Sequence, residues 1–353
     1  MKKLFSLLLV LLVLIGVTGC SKKYANGEVQ IFLPGEYISD DLIKNFEKEY
    51  DVKCNITVFE SNESMYTKLL TGATYDIVIP SDYMIERLIK ENMVQKLDKS
   101  KLECLDDLYD GVKNMDFDPN NDYSIPYFWG NTGIVYDADL IDEADVKAEG
   151  WGVLKNPKYK GMIYMYDSIR DMFMIAEKDL GYSMNTSDPK ELEDAYNWLC
   201  EIADTMEPAF AADECIDGLA TGEKAMGFMY SGDAATIISN SDLNMHFYAP
   251  VDAGVNYFVD SMLLLNDAKN IDNAYKFINY VTSYDGAYEN GSYVGYASVN
   301  KDVLAALAES DFDGNEAYIP RDRNEKDEVF HNDEKTLEVI SEYWTKVKFV
   351  NGE

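Results

Sequence analysis

Positive charge is scarce in this chain. Over 353 residues, 31 Lys and Arg stand against 64 Asp and Glu, a formal net charge of −33. Phosphate backbones are held by basic stripes, so this balance argues against a nucleic-acid partner. Histidine is nearly absent, with only His246 and His331, far apart, and no CxxC pair occurs. A tetrahedral zinc site and a histidine-based triad therefore lack their parts. There is no GxGxxG, no Walker A and no GxSxG, which leaves nucleotide chemistry and a hydrolase elbow without support. The acidic run 116–122 has Asn121 and Tyr127 where a calcium loop needs Gly and Glu, and the run 311–316 has its Gly too early. With so many acids, a carboxylate pair for sugar cleavage can always be named and carries no weight. No cofactor is expected. No repeat or low-complexity tract is present, and after the N-terminus no apolar run is long enough to span a bilayer.

What is present is enough apolar material for real cores: hydrophobic residues make up 47% and aromatics 13%. Disorder is thereby excluded as the main state, and the length suggests two domains. Residues 1–19 read as a secretory signal, with Lys2 and Lys3 ahead of the short apolar run Leu4 to Val17. Val17-Thr18-Gly19-Cys20 resembles the bacterial lipobox. A lipid on Cys20 would then tether the mature protein to the outer face of a membrane, through a polar segment, 20–27. In that compartment disulfides are permitted. Cys54, Cys104, Cys200 and Cys215 allow three connectivities, and a buried free thiol remains the default for each.

The pattern along the chain predicts an α/β fold. Val29–Leu33, Cys54–Phe59 and Tyr75–Pro80 read as strands, separated by helices over Asp40–Tyr50 and to Leu70 and followed by one over Asp82–Glu91. This β-α-β-α-β order implies a parallel sheet, whose ligands bind beyond the carboxyl ends of the strands. Residues 116–130 break the pattern and read as a linker or crossover. A second alternating region follows. It has strands at Met162–Met165, Ala225–Tyr230 and Tyr257–Leu265, and helices at Asp171–Leu180, Pro189–Asp204, Ile216–Thr221 and Ile271–Thr282. A last helix spans Thr336–Lys348.

Several long ungapped stretches carry a family resemblance: FESNESMYTKL (59–69), YDIVIPSDY (75–83), DKSKL (98–102), FDPNNDYSIPYFWGNTGIVYD (117–137), LGYSMNTSDP (180–189) and GYASVN (295–300). Over essentially the whole mature chain the sequence resembles the spermidine/putrescine-binding proteins of bacterial ABC importers. The resemblance implies a two-lobed periplasmic-binding-protein fold with two crossovers and a ligand cleft between the lobes. Lobe 1 is expected from 28–132 plus 260–307, and lobe 2 from 133–259 plus 308–353.

Carried over residue by residue, the resemblance marks Glu36, Tyr37, Ser81, Tyr83, Asp171, Tyr230, Phe258, Asp260, Tyr296 and His331 as ligand-binding. Pro34 stands where the family has Trp, Gly35 replaces a hydroxyl residue, and Ser168 replaces an acid. Asp171 also fits as a cap of its helix, and Glu36 as a surface charge. The chemistry suits a linear polyamine, an apolar methylene chain with ammonium ends. Carboxylates grip the ends through charge-assisted hydrogen bonds, while ring faces pack on the methylenes and attract the cations. The resemblance further implies a non-catalytic monomer that delivers spermidine or putrescine to the transmembrane subunits of an ABC permease.

Overall fold

The computed structural model describes residues 24–350, so the expected signal 1–19, Cys20 and the start of the tether lie outside the described residues. Strand β1 (Glu28–Pro34) leads to helix α1 (Asp40–Tyr50), β2 (Lys53–Phe59), α2 (Asn62–Leu70), the short β3 (Ile77–Val78) and α3 (Asp82–Lys90). As predicted, β1 lies parallel to both β2 and β3. Ser39 starts α1, its hydroxyl accepting from the N–H groups of Asp41 and Leu42. One turn apart on that helix, Leu42 and Phe46 are fully buried. The Phe46 ring meets Phe277 edge-on at 5.4 Å. Burial of each such side chain contributes roughly 1.5–3 kcal/mol.

Part of the segment read as a linker or crossover is a strand. From Ser124 it forms β4 (Ser124–Asp137), buried along all 14 residues. Pro126 sits where the pairing of β4 with β9 (Tyr257–Leu264) shifts register, between Pro126 and Phe128. A bulge is the position in a sheet that tolerates a residue without an N–H. The acidic run ahead of it turns the chain into the strand. The Asp118 carboxylate accepts from the N–H groups of Asp122, Tyr123 and Ser124 and from the Ser124 hydroxyl, at 2.8–3.0 Å.

β4 is itself a crossover. Residues 124–131 pair with β9, and residues 132–137 pair with β7 (Met226–Tyr230) and β8 (Met245–Tyr248). β9 returns the other way and ends beside β3. The strand order is β2-β1-β3-β9-β4-β7-β5-β6, with β5 (Ile163–Tyr166) parallel to β6 (Ala209–Ala211) and to β7. The short β10 (Ala297–Ser298) adds to β4. Helices α4 (Glu143–Glu149), α5 (Ile169–Asp179), α6 (Pro189–Thr205), α7 (Glu214–Ala220) and α8 (Ser231–Asn240) accompany the second group of strands. Next, α9 (Ile271–Thr282), α10 (Tyr284–Val294) and α11 (Lys301–Ala308) pack against elements of the first group, and α12 (Glu334–Val350) joins α5 and α6. On α12, Tyr343 stacks on Tyr196 at 4.6 Å, and the Trp344 indole donates to Asp167 at 3.1 Å. Two α/β lobes therefore share one curled sheet, with β4 and β9 running between them.

Cys54, Cys104, Cys200 and Cys215 are unpaired. Burial pushes the thiols of Cys54 and Cys215 up to about 12, so they behave as small core residues rather than nucleophiles. Among the described residues, no helix is long and apolar enough to cross a membrane.

Candidate functional site

The loops at the carboxyl ends of the strands converge where β4 and β9 cross between the lobes. After β1 the chain turns through Glu36, whose φ of 52° is a left-handed value costly for a non-glycine residue. That turn sends Glu36 outward, where it accepts from the Tyr293 hydroxyl at 3.0 Å on the exposed surface. It sends Tyr37 inward. The loop is clamped by a relay. Ser39 N–H donates to Asn290 Oδ1 at 2.9 Å, Asn290 Nδ2 donates to the Tyr127 hydroxyl at 2.8 Å, and that hydroxyl donates to the Tyr37 carbonyl at 2.7 Å. Thus held, the Tyr37 hydroxyl donates to Asp260 Oδ2 at 2.5 Å.

Asp260 and Phe258 alternate on the same face of β9. The Phe258 ring lies against backbone: a Cβ on Gly130 would come within 2.5 Å of it. From the β3–α3 loop, Ser81 lies near enough to Asp260 to lower its carboxyl. The second oxygen of Asp260, Oδ1, is buried and has no hydrogen-bond partner. Burial raises the Asp260 carboxyl to about 6, against the opposing pull of Tyr37 and Ser81.

Across the crossing, Asp171 lies in the first turn of α5, whose N-cap is Ser168. It does not act as the cap. Its Oδ2 accepts from the Ser168 hydroxyl and from the Tyr230 hydroxyl, the latter at 2.6 Å. Its Oδ1 is buried and unpartnered. Burial raises this carboxyl too, and Arg170 beside it pulls the other way. Ring centroids then step through the site without a break: Tyr37 to Tyr296 at 5.4 Å, Tyr296 to Phe258 at 6.0 Å, Phe258 to Tyr230 at 5.6 Å, and Tyr230 to Tyr166 at 5.7 Å.

Of the ten residues marked in the sequence, Tyr37, Ser81, Asp171, Tyr230, Phe258, Asp260 and Tyr296 meet in this cluster. Tyr83 adjoins it through Arg170, whose guanidinium lies 4.0 Å from its ring centre and 3.6 Å from Glu63. The Tyr83 hydroxyl donates to Glu63 at 3.2 Å. Two residues are not brought in. Glu36 faces outward as described. His331 is exposed, with Nδ1 3.5 Å from Glu86 on the outer side of α3.

The sequence reading missed Tyr166, Asp82 and Asp233. Asp233 accepts from the Tyr296 hydroxyl at 2.9 Å, and burial raises its carboxyl to about 7. Gly232 beside it lets the Tyr296 ring lie on the start of α8, since a Cβ there would be 2.1 Å from that ring. Extending the strand-end rule beyond Tyr230 would have found Asp233, and applying it to β5 would have found Tyr166.

Residues 41–317 match the family described as bacterial extracellular solute-binding protein. The spermidine/putrescine-binding periplasmic protein of Escherichia coli K12 is 36% identical over 318 residues, covering 89% of each chain. The putrescine-binding periplasmic protein SpuD of Pseudomonas aeruginosa is 29% identical over 367 residues, covering 99% of each. Among solved structures, the spermidine/putrescine ABC transporter substrate-binding protein PotD of Streptococcus pneumoniae superposes with a TM-score of 0.80 at 33% identity, over 92% of this chain and 99% of that one. The family match over residues 41–317, together with relatives at 36% and 33% identity over most of the chain, places this chain in the bacterial extracellular solute-binding protein family, alongside the spermidine/putrescine-binding proteins of ABC importers.

Proposed function

We propose that this protein captures a linear polyamine, spermidine or putrescine, outside the cytoplasm and hands it unchanged to the permease of an ABC importer. One observation carries the reading. Two buried carboxylates, Asp260 and Asp171, each keep an oxygen without a hydrogen-bond partner, and a continuous run of aromatic rings joins them. A buried carboxylate oxygen without a donor is costly. An ammonium at each position removes that cost, with charge-assisted hydrogen bonds worth about 1.5–3 kcal/mol each. Tyr37, Tyr296, Phe258 and Tyr230 then pack on the methylenes. After ordering costs, affinity near micromolar or tighter follows, about −8 kcal/mol.

In this reading the lobes are 28–132 plus 260–307 and 133–259 plus 308–353. The change of β4 pairing partners after Asn131 supports the first boundary. Ligand contacts from both lobes favour closure. The protein works as a monomer, held at the outer face of the membrane by a lipid on Cys20, and catalyses no reaction. Ser81 and Tyr83 complete the Asp260 side, while Glu36 and His331 stay outside the cluster.

Calorimetry with putrescine, cadaverine, spermidine and spermine in parallel tests the function. Saturable binding of putrescine or spermidine is expected. Binding of α-amino acids instead, through Arg170, would overturn it.

A further inference from the structure

The cluster contains carboxylates beyond the two that the ring-lined run joins, and one of them adjoins Asp260. Asp82, in the first turn of α3, is 1% exposed. Its Oδ1 accepts from Tyr83 N–H at 2.7 Å, and Phe330 N–H faces it from the segment ahead of α12. Its Oδ2 is buried without a partner. The Asp82 loop is stitched to the strand that carries Asp260: Ser261 N–H donates to the Pro80 carbonyl at 3.2 Å, and Ser81, next in the loop, acts on the Asp260 carboxyl. Two buried carboxylates, each with an unpartnered oxygen, therefore stand on adjoining backbone. The groups that act on Asp82 are Asp260 from β9, which opposes its ionisation, and Arg170 from α5, which favours it. Arg170 is drawn away by the Tyr83 ring and Glu63.

We propose that polyamine capture here is an exchange of cation for proton, in which seating an ammonium on Asp260 expels a proton from Asp82 to solvent. The inference rests on the polyamine reading of the site. The step balances simply. The O–H bond of the Asp82 carboxylic acid breaks, its electron pair stays on the carboxylate, and the proton passes to buffer. The ligand keeps all its protons. The cause is electrostatic: the ligand-free cluster has too few cations for its acids, so burial keeps protons on it. Burial raises Asp82 to about 8 and Asp233 to about 7, consistent with that stored proton. A cation arriving within a few ångströms shifts the balance toward the carboxylate.

Titration calorimetry of the mature protein with putrescine and with spermidine, near pH 7, in buffers of low and high ionisation enthalpy, reads the exchange directly. The apparent enthalpies should differ by an amount equal to roughly 0.5–1 proton released per ligand. Asp82→Asn preserves an acceptor for the two N–H groups. It should at least halve that count, with an affinity deficit that widens between pH 6 and pH 8.5. Equal enthalpies in the two buffers, or an undiminished count in Asp82→Asn, overturn the proposal while leaving polyamine binding intact. If Asp82→Asn fails to fold, the wild type decides, since a flat pH profile of affinity over that range is equally fatal. No heat with any polyamine overturns the binding reading, and the exchange falls with it.

Discussion

At one end of the ring-lined run, Asp260 projects from a strand, held by the Tyr37 hydroxyl with Ser81 nearby. At the other, Asp171 projects from the first turn of a helix, held by the Ser168 and Tyr230 hydroxyls. Each acid has one satisfied oxygen and one bare one. Their surroundings differ in what they offer a negative charge. Asp171 has the Arg170 guanidinium beside it and the positive end of a helix beneath it. Asp260 has hydroxyls only, and no cation lowers its carboxyl. The acid that the protein compensates least gains most from an incoming ammonium. Affinity is therefore expected to be concentrated at the Asp260 end.

Substitutions that keep shape and remove charge test that asymmetry. Asp260→Asn should weaken putrescine binding by at least about 100-fold, on the order of 3 kcal/mol, by calorimetry. Asp171→Asn should cost about 10-fold, because Arg170 already carries part of that carboxylate's charge. Equal losses, or a larger loss for Asp171→Asn, would break the comparison and show that the helix end does not discount its anchor.

The same imbalance has a consequence for stability without ligand. Burial raises Asp82, Asp233 and Asp260 in the fold, to about 8, 7 and 6. The native state then binds more protons than the unfolded chain, whose Asp titrates near roughly 4. Stability from these groups is full below that value and is lost as the pH rises through about 6 to 8. The ligand-free melting temperature should fall between pH 5.5 and pH 8.5, and saturating putrescine should flatten the fall. Asp82→Asn should melt above the wild type at pH 8.5 and lose that advantage by pH 5.5. A wild type that melts higher at pH 8.5 would show that the cluster is not short of cations.

The first lobe was largely legible in the sequence because its signals are local. The Ser39 cap, the buried Leu42 and Phe46 and the parallel strands all follow from periodicity within one unit. The segment read as a linker or crossover does cross between the lobes, but that it is a strand was not legible. Pro126 and the acidic run 116–122 imitate a linker, and only the bulge against β9, more than a hundred residues away, makes a proline compatible with that strand. In the site, Tyr37, Asp171, Tyr230, Phe258, Asp260 and Tyr296 came from resemblance plus the strand-end rule. Asp82 and Asp233 were passed over although both follow strand ends, because nothing local distinguishes a buried acid from a solvated one. Their burial depends on rings and loops brought from both lobes.

Glu36 shows the same limit from the opposite side, and it supports the smallest of these predictions. The resemblance marks it as an acid of the box. Here the Pro34-Gly35 pair precedes it, and the loop reaches Tyr37 by placing Glu36 in the left-handed region, with its carboxylate on Tyr293. An exposed carboxylate in water offers a distant ammonium little, since surface pairs are worth about 0–1 kcal/mol. Glu36→Gln should therefore change putrescine affinity by no more than about 2-fold, well below the effect at either anchor. Glu36→Gly, which relieves the positive φ, should raise the melting temperature slightly while leaving that affinity in the same range. A loss of about 10-fold in Glu36→Gln would mean that the loop turns over when ligand arrives and adds a third anchor. The contrast between one strong and one discounted end would then have to be redrawn around three.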